Sequence, residues 1–335
     1  MNQKAALDWG RFWERIAEAK VVALMSHVRP DGDSLGSQLA LAEALDALGK
    51  TTLCVNADPV PPSLAFLDPD HRIQRLADLT ASERAEWDKA DLLISLDTSA
   101  RAQLGAMAEL FIASKAQKLV VDHHVQRNEL EAEFFVNPDA EATGVLVFDA
   151  LVAGKIPLTD SIAFKLFTAI ATDTGWFRFS SVTPETYEKA AALCRAGVRP
   201  DAAYKVIYEQ ESLGRLRLVG RALMKTESLL DGKLMFTSLL NDDFAAAGAH
   251  PSDSEDIVNR TLQVGGSEMA IIMVERPNGG FKISFRSRCQ VDCARLAARF
   301  DGGGHQAAAG AFLDLPYDEA KKKILEGTLA EWEAS

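Results

Sequence analysis

The sequence of 335 residues lacks any apolar run long enough to cross a bilayer. Its first residues contain no apolar segment of the length found in signal peptides, and they carry an acidic residue early. We therefore expect a cytoplasmic protein that has no membrane partner.

Cysteine is scarce as well: Cys54, Cys194, Cys289 and Cys293 are scattered along the chain. Cys289 and Cys293 have the wrong spacing for a zinc knuckle, and no further pair completes a site. Cys54 lies in a strand-like run and Cys194 in a helix-like one, so we expect these to be buried thiols, in a reducing compartment.

Positive charge is the third shortage. The 36 Lys and Arg residues face 48 Asp and Glu residues, which gives a formal net charge of −12. This balance argues against a broad basic surface that holds long nucleic acid. It favours a short ligand that is bound at one place on the surface. We expect the protein to be a monomer or a homodimer.

What the sequence has in abundance is apolar, β-branched runs that alternate with helical patterns. This alternation predicts an α/β fold with a doubly wound parallel sheet. The predicted strands are 21–26, 51–56, 91–96, 118–121 and 134–136, and the predicted helices include 34–48, 143–152 and 161–172. Ser34 is the expected N-cap of the first of these helices.

The pattern changes at Lys233. Strand-like runs at 234–240, 269–274 and 281–285, followed by a helix at 291–300, predict a smaller α+β domain. We therefore divide the chain into a catalytic domain at 1–196, a helical linker at 197–232 and a second domain at 233–335.

Four short segments, 26–34, 96–99, 121–124 and 172–175, place Asp or His directly after apolar runs. In open α/β sheets, ligands bind beyond the carboxyl ends of the strands, so these segments should converge on one crevice. They contribute His27, Asp31, Asp33, Asp97, Asp122, His123, His124 and Asp173. So much negative charge requires cations, and the mixture of imidazole and carboxylate suits Mn²⁺, Mg²⁺ or Zn²⁺.

The spacing of these residues indicates two ions. His27 and Asp31 flank a loop that can fold over one ion, and Asp33 can reach a neighbouring ion. Asp97, at the end of a central strand, is the candidate bridge, since a carboxylate has two oxygens. Paired ions hold a water as hydroxide and clamp phosphate oxygens, which is the chemistry of phosphoester or phosphoanhydride hydrolysis. Taken singly, each segment is a weak signal, because an Asp at a strand end is commonly a helix cap and a single His is more often structural than a ligand.

In combination, Asp122-His123-His124 and the other three motifs, in the same order, resemble the DHH phosphoesterase superfamily. The segment 302–305 with 307–310 resembles the signature of the DHHA1 domain. The resemblance covers essentially the whole chain and is greatest to the bifunctional oligoribonuclease/3′-phosphoadenosine 5′-phosphate (pAp) phosphatase, or nano-RNase, group. It implies hydrolysis of short RNA to mononucleotides and of pAp to AMP and phosphate.

The resemblance also implies roles for single residues. His27, Asp31 and Asp97 would bind one ion, and Asp33, Asp97, His123 and Asp173 the other, with Mn²⁺ expected and Mg²⁺ as the alternative. Asp97, Asp122 and His124 would be the catalytic residues. Asp122 would orient His123 or its neighbours, and His124 would face the substrate phosphate and assist the leaving oxygen, or else support the metal site.

The second domain is expected to bind the substrate. Glycines allow backbone amides to approach an anion closely, and Arg is suited to bidentate phosphate contact. By resemblance, Arg286 and His305 bind a terminal phosphate or sugar. The remaining candidates for substrate contact are Ser287, Gly302, Gly303, Gly304 and Arg178. Asp301 stands where the family often has a further glycine.

Other functions are considered beside this one. A phosphodiesterase for cyclic di-AMP or pApA is the nearest alternative. A pyrophosphatase would have a different second domain, and a RecJ-like exonuclease would need a basic groove. A nucleotide-binding protein without catalysis would have lost metal ligands, and none is missing here.

Overall fold

The computed structural model describes residues 7–125 and 129–334. The chain forms two compact units, which divide between Gln210 and Glu211. This boundary lies inside the expected linker at 197–232, and helices occur on both sides of it. The division into 1–196, 197–232 and 233–335 stays a prediction.

The first unit contains a six-stranded sheet in which every neighbouring pair of strands is parallel, in the order β3-β2-β1-β4-β5-β6. The strands are β1 (Val21–Met25), β2 (Thr51–Asn56), β3 (Ile73–Arg75), β4 (Leu92–Leu96), β5 (Gln117–Asp122) and β6 (Glu133–Val136). The chain order reverses between β1 and β4, so the predicted doubly wound sheet is confirmed. Such a reversal opens a crevice at the carboxyl ends of the strands.

Helices cover both faces of this sheet. They are α1 (Trp9–Glu18), α2 (Gly32–Ala47), α3 (Ala81–Trp87), α4 (Met107–Ala113), α5 (Thr143–Ala153), α6 (Asp160–Asp173), α7 (Pro184–Arg195) and α8 (Pro200–Tyr208). The larger core lies between the sheet and α1, α2, α5 and α6, and a smaller one lies under α3 and α4. Strand residues contribute to both cores because each strand is buried on its two faces.

The start of α2 corrects the sequence prediction. The N-cap is Asp31, whose carboxylate accepts a hydrogen bond from the Ser34 amide, while the Ser34 hydroxyl accepts one from the Asp31 amide. Both residue types are good caps, and the helix therefore begins two residues before Ser34, at Gly32. Asp33 consequently lies in the first turn of a helix and not in a loop.

Helices α2 and α6 approach each other closely at two glycines. A Cβ atom on Gly32 would lie 2.5 Å from the Thr172 hydroxyl, and one on Gly36 would lie 2.5 Å from the backbone oxygen of Lys165. The first turn of α2 and the last turn of α6 carry candidate metal ligands, so this contact sets how far apart those ligands lie.

Gly36→Ala should lower the free energy of unfolding. The added methyl group overpacks the helix contact, which typically costs about 1–3 kcal/mol and exceeds a helix-propensity gain of about 1 kcal/mol. Gly220, inside α9 (Leu213–Met224), is the matched control, because its Cβ would meet open space. Gly220→Ala should therefore stabilise the protein. Urea denaturation of both variants measures this, and equal effects would refute the packing argument.

The second unit contains another six-stranded sheet, in the order β11-β12-β10-β9-β8-β7. Its strands are β7 (Glu227–Leu229), β8 (Leu234–Leu239), β9 (Met269–Glu275), β10 (Phe281–Ser287), β11 (Gly303–His305) and β12 (Ala308–Leu313). Its further helices are α10 (Asn241–Ala247), α11 (Ile257–Thr261), α12 (Cys293–Ala298) and α13 (Tyr317–Glu333). Among the described strands of this sheet, only β8 and β9 pair in parallel, and the predicted α+β architecture is confirmed.

The two faces of this sheet are covered unequally. One face packs against α12 and α13 through residues such as Phe285 and Ile324. On the other face, α9, α10 and α11 cover β8 and β9 through Leu218, Phe244 and Ile257. The half of that face formed by β10, β12 and β11 is largely exposed, and we call it the open half-sheet.

The cysteines agree in part with the sequence prediction. All four are free thiols, but only Cys54 and Cys293 are buried, whereas Cys194 and Cys289 are half-buried. Burial raises the pKa of both Cys54 and Cys293 to about 12, so neither thiol ionises near neutral pH.

Candidate metal centre

The eight predicted site residues lie where the crevice was expected. His27 follows β1, Asp97 follows β4, and Asp122, His123 and His124 end or follow β5. Asp31 and Asp33 begin α2, and Asp173 ends α6. Because β1 and β4 are neighbours, their carboxyl ends deliver side chains to one place.

Asp97 is at the middle of the cluster. Its Oδ2 lies 3.2 Å from His27 Nε2, and its Oδ1 lies 3.5 Å from His123 Nε2. The residue is buried and has a φ of 62°, in the left-handed region that Asp tolerates better than most residues. The two oxygens thus face different histidines, which is the arrangement that a bridging carboxylate needs.

The first group of candidate ligands is His27, Asp31 and Asp97. His27 Nε2 also lies 3.8 Å from Asp31 Oδ1. The other ring nitrogen of His27, Nδ1, lies 2.8 Å from the Val28 carbonyl oxygen, which orients the ring. The carboxylate of Asp31 that caps α2 is also the candidate metal ligand.

The second group is Asp33, His123 and Asp173. His123 Nε2 lies 3.8 Å from Asp33 Oδ2 and 3.5 Å from Asp173 Oδ2. The ring is oriented by the Ala140 carbonyl, 3.1 Å from Nδ1. With Asp97 close to the same nitrogen, the structure brings together the four residues expected at the second ion.

Sequence reasoning missed the contribution of α5. The backbone amides of Thr143 and Gly144 donate to the two oxygens of Asp33 at 2.6 and 2.8 Å, and the Thr143 hydroxyl donates to Asp97 at 2.8 Å. A helix N-terminus favours negative charge, so α5 stabilises two buried carboxylates. The Thr-Gly pair at a predicted helix start was the available signal, but its targets, Asp33 and Asp97, lie 110 and 46 residues away from Thr143.

Asp122 orients His124, the second histidine of the motif. Its Oδ1 accepts a hydrogen bond from the His124 amide at 2.9 Å and lies 2.8 Å from His124 Nδ1. This contact raises the pKa of His124. Burial by itself would raise the pKa of Asp122, but the hydrogen bonds from His124 outweigh burial and lower it. His124 is well exposed, and with Asp97 and His123 it forms a third group able to bind a metal.

The electrostatics of the cluster fit cations. Burial, together with the charges of Asp97 and Asp173, raises the pKa of Asp33 well above its usual range. Burial and the charge of Asp97 likewise raise the pKa of Asp173 to about 6, although His123 opposes the shift. Burial lowers the pKa of His27, but its contacts with Asp97 and Val28 outweigh burial and raise it to about 9. Divalent cations would relieve this repulsion among carboxylates, and the N/O donor set suits them.

In the second unit, strand register places Arg286 and His305 on one face. Arg286 pairs with Ala308, and Ala308 pairs with His305, so only a methyl group lies between them. This is the open half-sheet. Arg286 is half-buried and His305 is exposed.

The three predicted glycines differ in what their neighbours allow. A Cβ on Gly302 would lie 2.2 Å from the Gly310 carbonyl oxygen, and Gly304 has a φ of 150°, so the hairpin itself requires both. A Cβ on Gly303 would meet nothing within 4 Å. Gly303 therefore leaves room on the face that carries His305.

Two predicted substrate residues, Ser287 and Arg178, lie neither on the open half-sheet nor in the crevice. Ser287 is buried on the opposite face of β10, where its hydroxyl accepts a hydrogen bond from the Cys289 amide. Arg178 lies outside the crevice that the ligands line, with its guanidinium 5.4 Å from the ring centre of Phe179. Next to Arg178 in the chain, Trp176 and Phe177 pack against the core of the first unit.

Asp301 occupies a left-handed turn, with a φ of 56°. Glycine adopts this conformation freely, and Asp adopts it more readily than most other residues. The backbone conformation thus explains how an acid can replace the family glycine. The side chain is exposed, so the turn does not bury its charge.

The fold and the ligand groups define an α/β protein with a candidate centre for two cations and a second α+β unit. Residues 21–172 match the DHH family, N-terminal domain, and residues 232–331 match the DHHA1 domain. The chain belongs to the DHH family.

Among curated proteins, the chain is 32% identical to the bifunctional oligoribonuclease and PAP phosphatase NrnA of Thermus thermophilus, over 96% of this chain and 95% of that protein. It is 25% identical to NrnA of Bacillus subtilis, over 91% and 93% of the two chains. Among solved structures, an exopolyphosphatase-related protein from Bacteroides fragilis matches with a TM-score of 0.84 and 27% identity, over 97% and 96% of the chains.

Within the described residues, no helix is both long and apolar enough to span a membrane.

Proposed function

We propose that this protein is a metal-dependent phosphoesterase that hydrolyses short oligoribonucleotides to mononucleotides and pAp to AMP and phosphate. The observation that carries the proposal is the convergence of two ligand groups around Asp97 in one crevice. Similarity to proteins named for these two activities, over 96% and 91% of this chain, supports the choice of substrates. We further propose Mn²⁺ as the ion, with Mg²⁺ as the alternative, and a cytoplasmic location, in which free thiols persist.

The proposed mechanism assigns a task to each residue of the centre. His27, Asp31 and Asp97 would hold one cation, and Asp33, Asp97, His123 and Asp173 would hold the other. Bound cations would supply positive charge to the phosphoryl oxygens and would acidify a water molecule. Thr143 and the first amides of α5 fix the orientation of Asp97 and Asp33.

His124 is placed to act on the leaving group. Its exposed ring lines the crevice, and Asp122 holds its Nδ1 side. Nε2 is therefore free to donate a proton to the departing ribose oxygen. The contact with Asp122 keeps the imidazolium form available, because it raises the pKa of His124.

The open half-sheet is our candidate for binding a terminal phosphate or sugar of the substrate. Arg286 and His305 share this face, with Ala308 between them and Gly303 alongside. Small residues between two cationic or polar groups leave room for an anion.

A panel of substrates tests the proposed function. Purified protein with Mn²⁺ would be offered pAp, pApA, five-residue RNA, cyclic di-AMP and pyrophosphate, and kcat/KM compared. We expect pAp and RNA to be the best substrates, with AMP and phosphate released from pAp. Faster hydrolysis of cyclic di-AMP or pApA would favour the phosphodiesterase alternative. No turnover with either Mn²⁺ or Mg²⁺ would favour a nucleotide-binding protein without catalysis.

Arg286→Ala should raise KM for pAp and leave kcat nearly unchanged. Losing a charged contact to phosphate costs about 1.5–3 kcal/mol, which corresponds to roughly ten- to more than a hundredfold in KM. Lys322→Ala, on the exposed surface of α13, removes the same charge elsewhere and should change neither constant. A large fall in kcat at unchanged KM would place Arg286 in the transition state instead.

A further inference from the structure

The crevice around the ligands is larger than a phosphate requires. It has a volume of about 790 Å³ and continues past His27 and Asp97 to Val28, Arg29, Ala102 and Gln103. Pockets of about 300–1,000 Å³ hold ligands the size of a nucleotide. The first unit by itself thus offers space for a substrate group attached to the scissile phosphate.

Arg29 is the one Arg or Lys among the described residues that line this crevice. Its side chain is exposed, and its guanidinium makes no hydrogen bond or ion pair with any described residue. Four of the six other ionisable residues that line the crevice, namely His27, Asp31, Asp97 and Asp173, would ligate cations in the proposed function. Arg29 therefore has its five donors available to an anion.

The backbone holds Arg29 in a conformation that arginine disfavours. Its φ is 53°, and the following residue is Pro30, which restricts the preceding residue further. The amide of Arg29 donates to Asp58 Oδ2 at 2.8 Å, and the amide of Val28 donates to the Gln103 carbonyl at 2.7 Å. Such locally strained positions persist where surrounding contacts fix them, and they concentrate at functional sites.

We propose that Arg29 is a specificity residue that binds the phosphodiester one nucleotide beyond the scissile phosphate. The inference rests on the proposed function and deepens it. The phosphate that pAp loses is a terminal monoester, so nothing extends beyond it. In RNA of three or more nucleotides the scissile phosphate carries a further nucleoside, and the next phosphate follows. Arg29 thus favours RNA over pAp.

The test compares kcat/KM for a trinucleotide and for pAp in saturating Mn²⁺. Arg29→Asn removes the cation but keeps a residue that tolerates a positive φ. We expect the trinucleotide-to-pAp ratio of kcat/KM to fall at least about tenfold, as for the loss of one charged hydrogen bond. Arg29→Lys, which keeps the charge, should recover most of the ratio. Arg84→Ala, a partly exposed position on α3, is the charge-matched control and should leave the ratio within twofold.

Salt dependence gives a second readout that a purely structural role would not move. Losing one phosphate contact to a single strand should reduce the slope of log KM against log salt by about 0.7 for the trinucleotide and not for pAp. An equal loss on both substrates, or an unchanged ratio, would overturn the role of Arg29. A wild-type protein inactive on both substrates would instead refute the proposed function itself.

Discussion

Replacing Asp97 with alanine should abolish hydrolysis of pAp and RNA. The carboxylate faces both histidines, so its removal takes a ligand from each proposed ion at once. We expect kcat to fall by more than about 100-fold, the upper end of the losses from removing a supporting group of a metal site. Steady-state rates in saturating Mn²⁺ measure this effect.

The same substitution should not unfold the protein. Asp97 raises the pKa of Asp33, so removing its charge relieves repulsion inside the cluster. Asp97→Asn is the better probe of stability, because Asn keeps the side-chain shape and tolerates the φ of 62°. In the presence of EDTA its Tm should equal or exceed that of wild type. Hydrolysis by Asp97→Ala at more than a tenth of the wild-type rate would contradict the bridging role of Asp97.

His124→Ala should lower kcat by about 10²–10⁴-fold on pAp, because a general acid contributes that much when the leaving group needs a proton. The loss should be far smaller on a p-nitrophenyl phosphate ester, whose leaving group departs without protonation. Asp122→Asn, which weakens the hold on His124 Nδ1, should show the same dependence on leaving group to a lesser degree.

The alternative role of His124 predicts a different result. If His124 binds a metal ion together with Asp97 and His123, then losing it would weaken Mn²⁺ binding and slow the hydrolysis of every substrate equally. Calorimetric titration of Mn²⁺ into His124→Ala, beside the two kinetic assays, separates these roles. An equal loss on both leaving groups would exclude the general-acid assignment.

The crevice could be predicted from the sequence because its cause is local. His27, Asp97 and His123 each follow a short, buried, β-branched strand, and parallel strands bring their carboxyl ends to one edge. Asp173 differs, because it ends helix α6 and not a strand. Asp97 after β4 and His27 after β1 illustrate this, since adjacency of two strands at the reversal suffices to bring them together.

Contacts between distant segments could not be predicted in this way. Nothing near Asp33 indicates that the amides of Thr143 and Gly144 will bind it. The N-cap of α2 was misplaced because Asp31 and Ser34 satisfy each other reciprocally, and either is a good cap alone. The strained backbone of Arg29 depends on Asp58 and Gln103, which no local pattern connects to it.

Both sheets end in short strands. The outermost strands β3, β7 and β11 have three residues each, and β6 has four. A long, flat outer strand presents a row of unpaired amides and carbonyls on which another chain can polymerise, whereas a strand of three or four residues offers too few. The backbone groups of Gly303 and Gly304 can therefore be accessible to a small anion without inviting amyloid-like growth. The protein should remain dispersed at high concentration for this geometric reason, independently of its charge.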